Sequence, residues 1–165
     1  VIEKILEAVK FAVLAHKGQV RKYTGEPYVM HCLEVAQIVE PFANDDMICA
    51  ALLHDTIEDC GVTRNEIADK FGDRVAELVW WITDQSKPED GNRVARKAID
   101  RAHIAKAPFD AQAIKLADLI SNTSSIVAHD PDFAKVYLAE KKLLLDVMIG
   151  PSELWHQAYN LAHGL

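Results

Sequence analysis

Inside the apolar run ICAALLHDTIEDC, His54-Asp55 places two ionisable groups where burial is expensive unless a bound cation compensates them. Imidazole beside carboxylate suits a borderline-to-hard divalent ion, and two donors are too few for one, so further ligands must come from other elements. On a continuous helix adjacent side chains point about 100° apart, a wide grip on one ion. Glu58, at i+4 from His54, would return to the same side one turn later, with Asp59 next to it. The other candidates are His31, in the apolar context PYVMHCLEVA, and Asp118, in AIKLADLISN with Asn122 one turn on. Singly, each has a plain explanation. A lone histidine on an apolar face is usually a core residue with satisfied hydrogen bonds, and Lys115 at i−3 offers Asp118 an ordinary ion pair. The ensemble points further, because four metal-capable residues on three expected helices share a chain with a basic loop.

Helices must position these groups. Ile2, Ile5, Leu6, Val9, Ala12, Val13 and His16 recur at spacings of three and four, one face of an amphipathic helix. Residues 17–27 break that pattern with Gly18, Gly25 and Pro27 and carry Lys17, Arg21 and Lys22, an ordered basic loop. Helical spacing resumes over 31–39, and 47–57 is apolar on nearly every side, which predicts a central helix closed by Gly61. Thr63 and Glu66 form a T-x-x-E capping box opening a short helix that ends near Gly72, and 73–82 follows as another. The polar stretch 83–93 (TDQSKPEDGNR) reads as a mobile surface loop within one domain, not as a linker. Further helices are predicted over 94–105, 111–126, 133–148 and 152–162, punctuated by Pro108, Pro131 and Gly150-Pro151. No segment alternates with a two-residue period, so the expected fold is all-α, a single domain of roughly eight to ten helices.

Composition narrows the function classes. The 165 residues are 50% hydrophobic, enough for a core without disulfide or metal staples. With 25 acidic against 18 basic residues the formal charge is −7, which gives no general attraction to nucleic acid or anionic lipid. A polyanionic ligand must therefore meet a local basic cluster. Cys32, Cys49 and Cys60 are odd in number and lack C-x-x-C spacing, which argues against a disulfide framework or a thiolate zinc site and for a reducing cytoplasm. No apolar stretch reaches the ~20 residues a spanning helix needs, and the charged N-terminus does not read as a signal peptide. The tryptophans Trp80, Trp81 and Trp155 fit packing roles, and His103, His129, His156 and His163 fall outside any interpretable cluster.

The ordered blocks AHKGQVRKYTGEPYVMH, AALLHDTIEDC and KLADLISN resemble the hydrolase domain of the RelA/SpoT family, within the HD phosphohydrolases, over residues 11–126. No synthetase segment follows, so the resemblance implies a stand-alone small alarmone hydrolase filling residues 1–165, with no synthetase or regulatory domain. It further implies an all-α HD-domain helical bundle and one Mn²⁺ per chain. The implied reaction is removal of the 3′-diphosphate of (p)ppGpp as pyrophosphate, leaving GDP or GTP, with (pp)pApp within range. Such an enzyme belongs to the stringent response.

Residue by residue, the family's metal ligands match His31, His54, Asp55 and Asp118, and its water-handling acidic pair matches Glu58 and Asp59. Arg21 and Lys22 match cations that frame the base, Thr24 a hydroxyl of the same loop, and Asn122 and Ser125 positions lining the sugar and phosphate pocket. Arg96 or Lys97 is a further phosphate contact.

The chain departs from the pattern in three places. Cys32 stands where proline is usual, Tyr23 is inserted before the Thr-Gly turn, and Leu119-Ile120-Ser121 replaces Arg-Leu-His, which bears on purine preference more than on hydrolysis. The implied partner is a small nucleotide, with no nucleic acid and no membrane, for a monomer or weak homo-oligomer. Two rival functions are a metal phosphohydrolase for another nucleotide, such as a dinucleotide cofactor phosphate, and a non-catalytic alarmone-binding module.

Overall fold

Side chains that satisfy or withhold backbone hydrogen bonds set the helix boundaries. A computed structural model describes residues 2–165, and the chain divides into two compact units, one ending at Thr83 and the other running Asp84–Leu165. The first unit contains α1 (Ile2–Ala15), α2 (Val29–Val39), α3 (Asp45–Leu53), α4 (Thr56–Cys60), α5 (Arg64–Phe71) and α6 (Asp73–Ile82). The second contains α7 (Arg93–Ile104), α8 (Phe109–His129), α9 (Pro131–Leu145) and α10 (Ser152–His163). Among the described residues there is no strand beyond an isolated bridge between Val20 and Pro27, and no helix is long and apolar enough to cross a membrane. The expected all-α class, with ten α-helices among the described residues, is what the sequence pattern predicted.

In the first unit α3 is the hub, packed against α1, α2 and α6. Asn44 caps its start by accepting from the Met47 amide at 3.0 Å. Met47, Cys49, Ala50, Ala51, Leu52 and Leu53 are all buried, the all-round burial read from the sequence. Leu52 and Leu53 each contribute roughly 1.5–3 kcal/mol by leaving water. The capping box of α5 forms as expected: the Glu66 amide donates to Thr63 Oγ1 at 3.2 Å, and the Thr63 amide donates to Glu66 Oε2 at 2.7 Å.

One expectation fails in this unit. The helix predicted over 47–57 is not continuous: α3 stops at Leu53, residues 54 and 55 form a turn, and α4 restarts at Thr56. Two side chains take the carbonyls that a continuing helix would use. Thr56 Oγ1 donates to Leu53 O at 2.7 Å, and His54 Nδ1 lies 2.7 Å from Ala51 O. Asp55 turns the chain with φ −97° and ψ 0°. Gly61, with φ 68°, then closes α4 in the left-handed region that favours glycine.

In the second unit α8 is the central element, 21 residues long, with α9 and α10 packed on it. It runs three residues past its predicted end to His129, where Asp130 and Pro131 stop it. Gln112 is buried on α8 with both ends of its amide used: it donates to Ala107 O at 3.0 Å and accepts from the Ile149 amide at 2.7 Å. The polar stretch before α7 holds one 3-10 turn, Pro88–Asp90. Asp100 pins the start of that stretch by accepting from the amides of Gln85 and Ser86 at 2.9 and 2.8 Å.

Candidate functional site

The break between α3 and α4 builds the site. It places Asp55 outside both helices, so its carboxylate can face His54 and also His31, which sits in the first turn of α2. Oδ2 of Asp55 lies 3.0 Å from His54 Nε2 and 3.7 Å from His31 Nε2, and the two imidazole rings are 5.2 Å apart. His31 is 1% exposed and His54 2%. One donor atom from each of the three residues falls within 4.8 Å of the others.

The protonation of His54 follows from its backbone contact. A carbonyl only accepts, so Nδ1 carries the proton toward Ala51 O, and a neutral ring presents its lone pair at Nε2, the atom nearest Asp55. Tyr28, just before α2, donates its hydroxyl to Asp55 Oδ2 at 2.7 Å and holds the carboxylate toward the imidazoles. Two buried imidazoles, one fixed in the ligating tautomer, and one braced carboxylate fit a divalent cation.

The expected acidic pair lies in the first turn of α4, with both residues exposed. The helical i, i+4 alignment of Glu58 with His54 does not apply, because the turn at 54–55 interrupts the helix that would have produced it. Asp59 Oδ2 accepts from Gln19 Nε2 at 3.0 Å.

The basic loop is internally paired. Arg21 Nη1 lies 3.1 Å from Glu34 Oε2 and 3.4 Å from Glu26 Oε2, with its side chain 14% exposed. Thr24 Oγ1 donates to Glu26 Oε2 at 3.1 Å, and Lys22 Nζ sits 5.0 Å from the ring centre of Tyr23, the inserted residue.

Asp118, Asn122 and Ser125 belong to the second unit, all on α8. Asp118 is 7% exposed and takes the ion pair that its spacing offered, with Lys115 Nζ at 3.2 Å, while Asn122 Nδ2 donates to its other oxygen at 2.7 Å. Ser125 is half-buried, and its carbonyl lies 2.8 Å from His129 Nδ1.

Sequence reasoning missed a charged recess in the second unit, about 40 Å³ in volume, where Lys97, Arg101, Lys115 and Lys141 meet Asp84, Asp100 and Glu140. All three carboxylates are engaged there: Asp84 with Lys97 at 3.1 Å, Glu140 with Arg93 at 2.6 Å, and Asp100 with the amides of Gln85 and Ser86. Burial alone would raise Asp84, but Lys115 and Lys97 outweigh it and hold the carboxyl below its ordinary value. Lys141 rests 4.8 Å from the Tyr137 ring centre, and burial together with Lys115 and Lys97 pushes its pKa down to about 8. A signal was present, since Lys141 occupies the apolar phase of α9 one turn after Tyr137 and one turn before Leu145, both buried.

Three comparisons place the chain among known proteins. A family model described as HD domain matches residues 8–143. The chain is 37% identical over 135 residues to "Probable GTP diphosphokinase RSH3, chloroplastic" of Arabidopsis thaliana, covering 78% of this chain and 19% of that protein. It therefore spans about a fifth of the length of the first curated relatives it matches. A shorter relative, "Guanosine-3′,5′-bis(diphosphate) 3′-pyrophosphohydrolase MESH1" of Drosophila melanogaster, is 34% identical over 132 residues, 78% of this chain and 72% of that one. A solved structure described as a metazoan ortholog of SpoT that hydrolyzes ppGpp superposes with a TM-score of 0.87 at 26% identity, covering 98% of this chain and 94% of the other.

Proposed function

This chain belongs to the HD domain family, and from that premise we propose that it hydrolyses (p)ppGpp, releasing the 3′-diphosphate as pyrophosphate and leaving GDP or GTP. The observation that carries the reading is the convergence of His31, His54 and Asp55 in a chain that matches the Drosophila pyrophosphohydrolase over most of both lengths. We include the adenosine counterparts in the proposed substrate range, because Leu119-Ile120-Ser121 stands where the family more often has Arg-Leu-His and so leaves the purine preference open.

His31, His54 and Asp55 would hold the cation, taken as one Mn²⁺ per chain, while the ligand role of Asp118 rests on the likeness of KLADLISN alone. When bound, such an ion supplies Lewis-acid charge and lowers the pKa of a coordinated water. The protein's own groups do the rest. Glu58 accepts the proton that the attacking water loses, and Asp59, tethered by Gln19, orients that water. Tyr28 keeps Asp55 turned toward the imidazoles, and Ala51 O keeps the proton of His54 on Nδ1.

Arg21, Lys22, Thr24, Asn122 and Ser125 are assigned to substrate, and Lys97, Arg101 and Lys141 of the recess are added as phosphate partners. In an acidic protein such clusters focus the field that a polyphosphate follows. Cys32, Cys49 and Cys60 as free thiols support a cytoplasmic setting, and a monomer or weak homo-oligomer completes the reading.

The test incubates metal-stripped protein with ppGpp and added Mn²⁺ and separates the products by chromatography. GDP with pyrophosphate is expected. Unchanged ppGpp, or release of orthophosphate in place of pyrophosphate, overturns the proposal.

A further inference from the structure

The segment between α1 and α2 holds a group that the reaction scheme leaves unexplained. His16, immediately after α1, is 3% exposed although ionisable. Its ring packs 5.0 Å from the ring of Tyr28, with Cys60 Sγ 3.2 Å from Nδ1 and Cys32 Sγ 3.8 Å from Nε2. A core histidine needs a polar partner, and Gln19 provides one: its Oε1 lies 2.7 Å from His16 Nδ1.

The polarity of this contact determines the next one. An amide oxygen only accepts, so His16 donates from Nδ1, and the opposite end of the same amide must be the donor. Gln19 Nε2 points at Asp59 Oδ2, 3.0 Å away. The reverse amide orientation would set an oxygen against the carboxylate. Asp59 is itself exposed, on a helix of only five residues whose start is anchored by the Asp59 amide donating to Asp55 O at 2.9 Å. An exposed carboxylate on such a helix samples several rotamers unless something holds it.

We infer that Gln19 is a positioning residue: buried His16 fixes the orientation of its amide, and the amide holds the Asp59 carboxylate in the pose used for hydrolysis. The inference rests on the water-orienting role of Asp59 proposed above. A misplacement of about 1 Å at a reacting geometry costs on the order of 10²-fold in rate. The buried end of the relay thereby controls the rate without touching substrate.

Gln19→Glu is the decisive variant, because it keeps the shape and still accepts from His16 but presents an oxygen and a negative charge to Asp59. In the full chain with Mn²⁺ and ppGpp, kcat is expected to fall about tenfold or more while KM and Mn²⁺ affinity stay within about twofold. The deficit should narrow as pH falls, because a protonated Glu at position 19 regains a donor for Asp59. A side chain that merely filled space would tolerate this isosteric change. Gln19→Glu with wild-type kcat, or with its whole effect in KM, overturns the inference.

A second measurement stands independently of turnover and of that variant's folding. In ¹H–¹⁵N spectra the side-chain amide signals of Gln19 should move on Asp59→Asn substitution, and unmoved signals overturn the proposed contact. Wild-type protein inert toward ppGpp sinks the proposed reaction and this inference together, whereas an active wild type with an indifferent Gln19→Glu sinks this inference alone.

Discussion

The centre formed by His31, His54 and Asp55 in the first unit and the recess of Lys97, Arg101, Lys115 and Lys141 in the second both place ionisable groups inside helical packing, with opposite results. In the first, donor atoms converge: an imidazole turned by its own backbone contact and a carboxylate braced by a tyrosine hydroxyl face one another, a grouping that suits a cation. In the second, four cations stand beside three carboxylates, and burial with Lys115 and Lys97 presses Lys141 to give up its proton. Under the proposed function a divalent ion would suit the first grouping and a phosphate group the second, which would let an acidic chain of net charge −7 hold a polyanion through a local cluster.

His54→Ala should abolish Mn²⁺ binding in calorimetric titration and bring hydrolysis of ppGpp to background, since one of three converging donors is gone. Glu58→Gln should lower kcat by roughly 10²–10⁴-fold with Mn²⁺ affinity retained, a split that separates proton transfer from metal holding. Tyr28→Phe removes only the brace on Asp55 and should weaken Mn²⁺ affinity by about 10–100-fold, read in the same titration.

On the cationic side, Lys141→Met should raise KM for ppGpp roughly 10–100-fold with little change in kcat, the loss expected for one charged hydrogen bond of roughly 1.5–3 kcal/mol. An unchanged KM would remove the recess from substrate binding. The smallest effect is on stability. Because the folded chain releases the Lys141 proton near 8 while the unfolded chain keeps it until about 10.5, the unfolded state binds more protons between those values. Burial of Lys141 therefore costs most below pH 8, and its contribution becomes more favourable as pH rises toward 10.5. The thermal midpoint of the wild type should therefore rise relative to that of Lys141→Met over that window.

Local chemistry was legible in the sequence. The Thr63–Glu66 capping box and the Lys115–Asp118 pair each join residues three apart on a helix, and both form. The all-round burial of α3 followed from its composition in the same way. The end of α3 was not legible, because apolar periodicity runs unbroken through ALLHDTI and the break depends on where His54 and Thr56 send their side-chain hydrogen bonds. The partnership of Tyr28 with Asp55, 27 residues apart, and that of Gln19 with Asp59, 40 apart, were equally invisible. Lys141 could have been suspected from its phase on α9, but not its neighbours, which come from α7 and α8.

From the order of residues alone came the helices, their caps, the neighbours three and four positions apart and the family likeness, since backbone hydrogen bonding and side-chain phase act within a few residues. Only the tertiary structure decided which ionisable groups share a space, which way the amide of Gln19 and the imidazole of His54 face, and which lysine loses its hydration. Those outcomes depend on desolvation and on partners brought together by packing, and no local spacing encodes them.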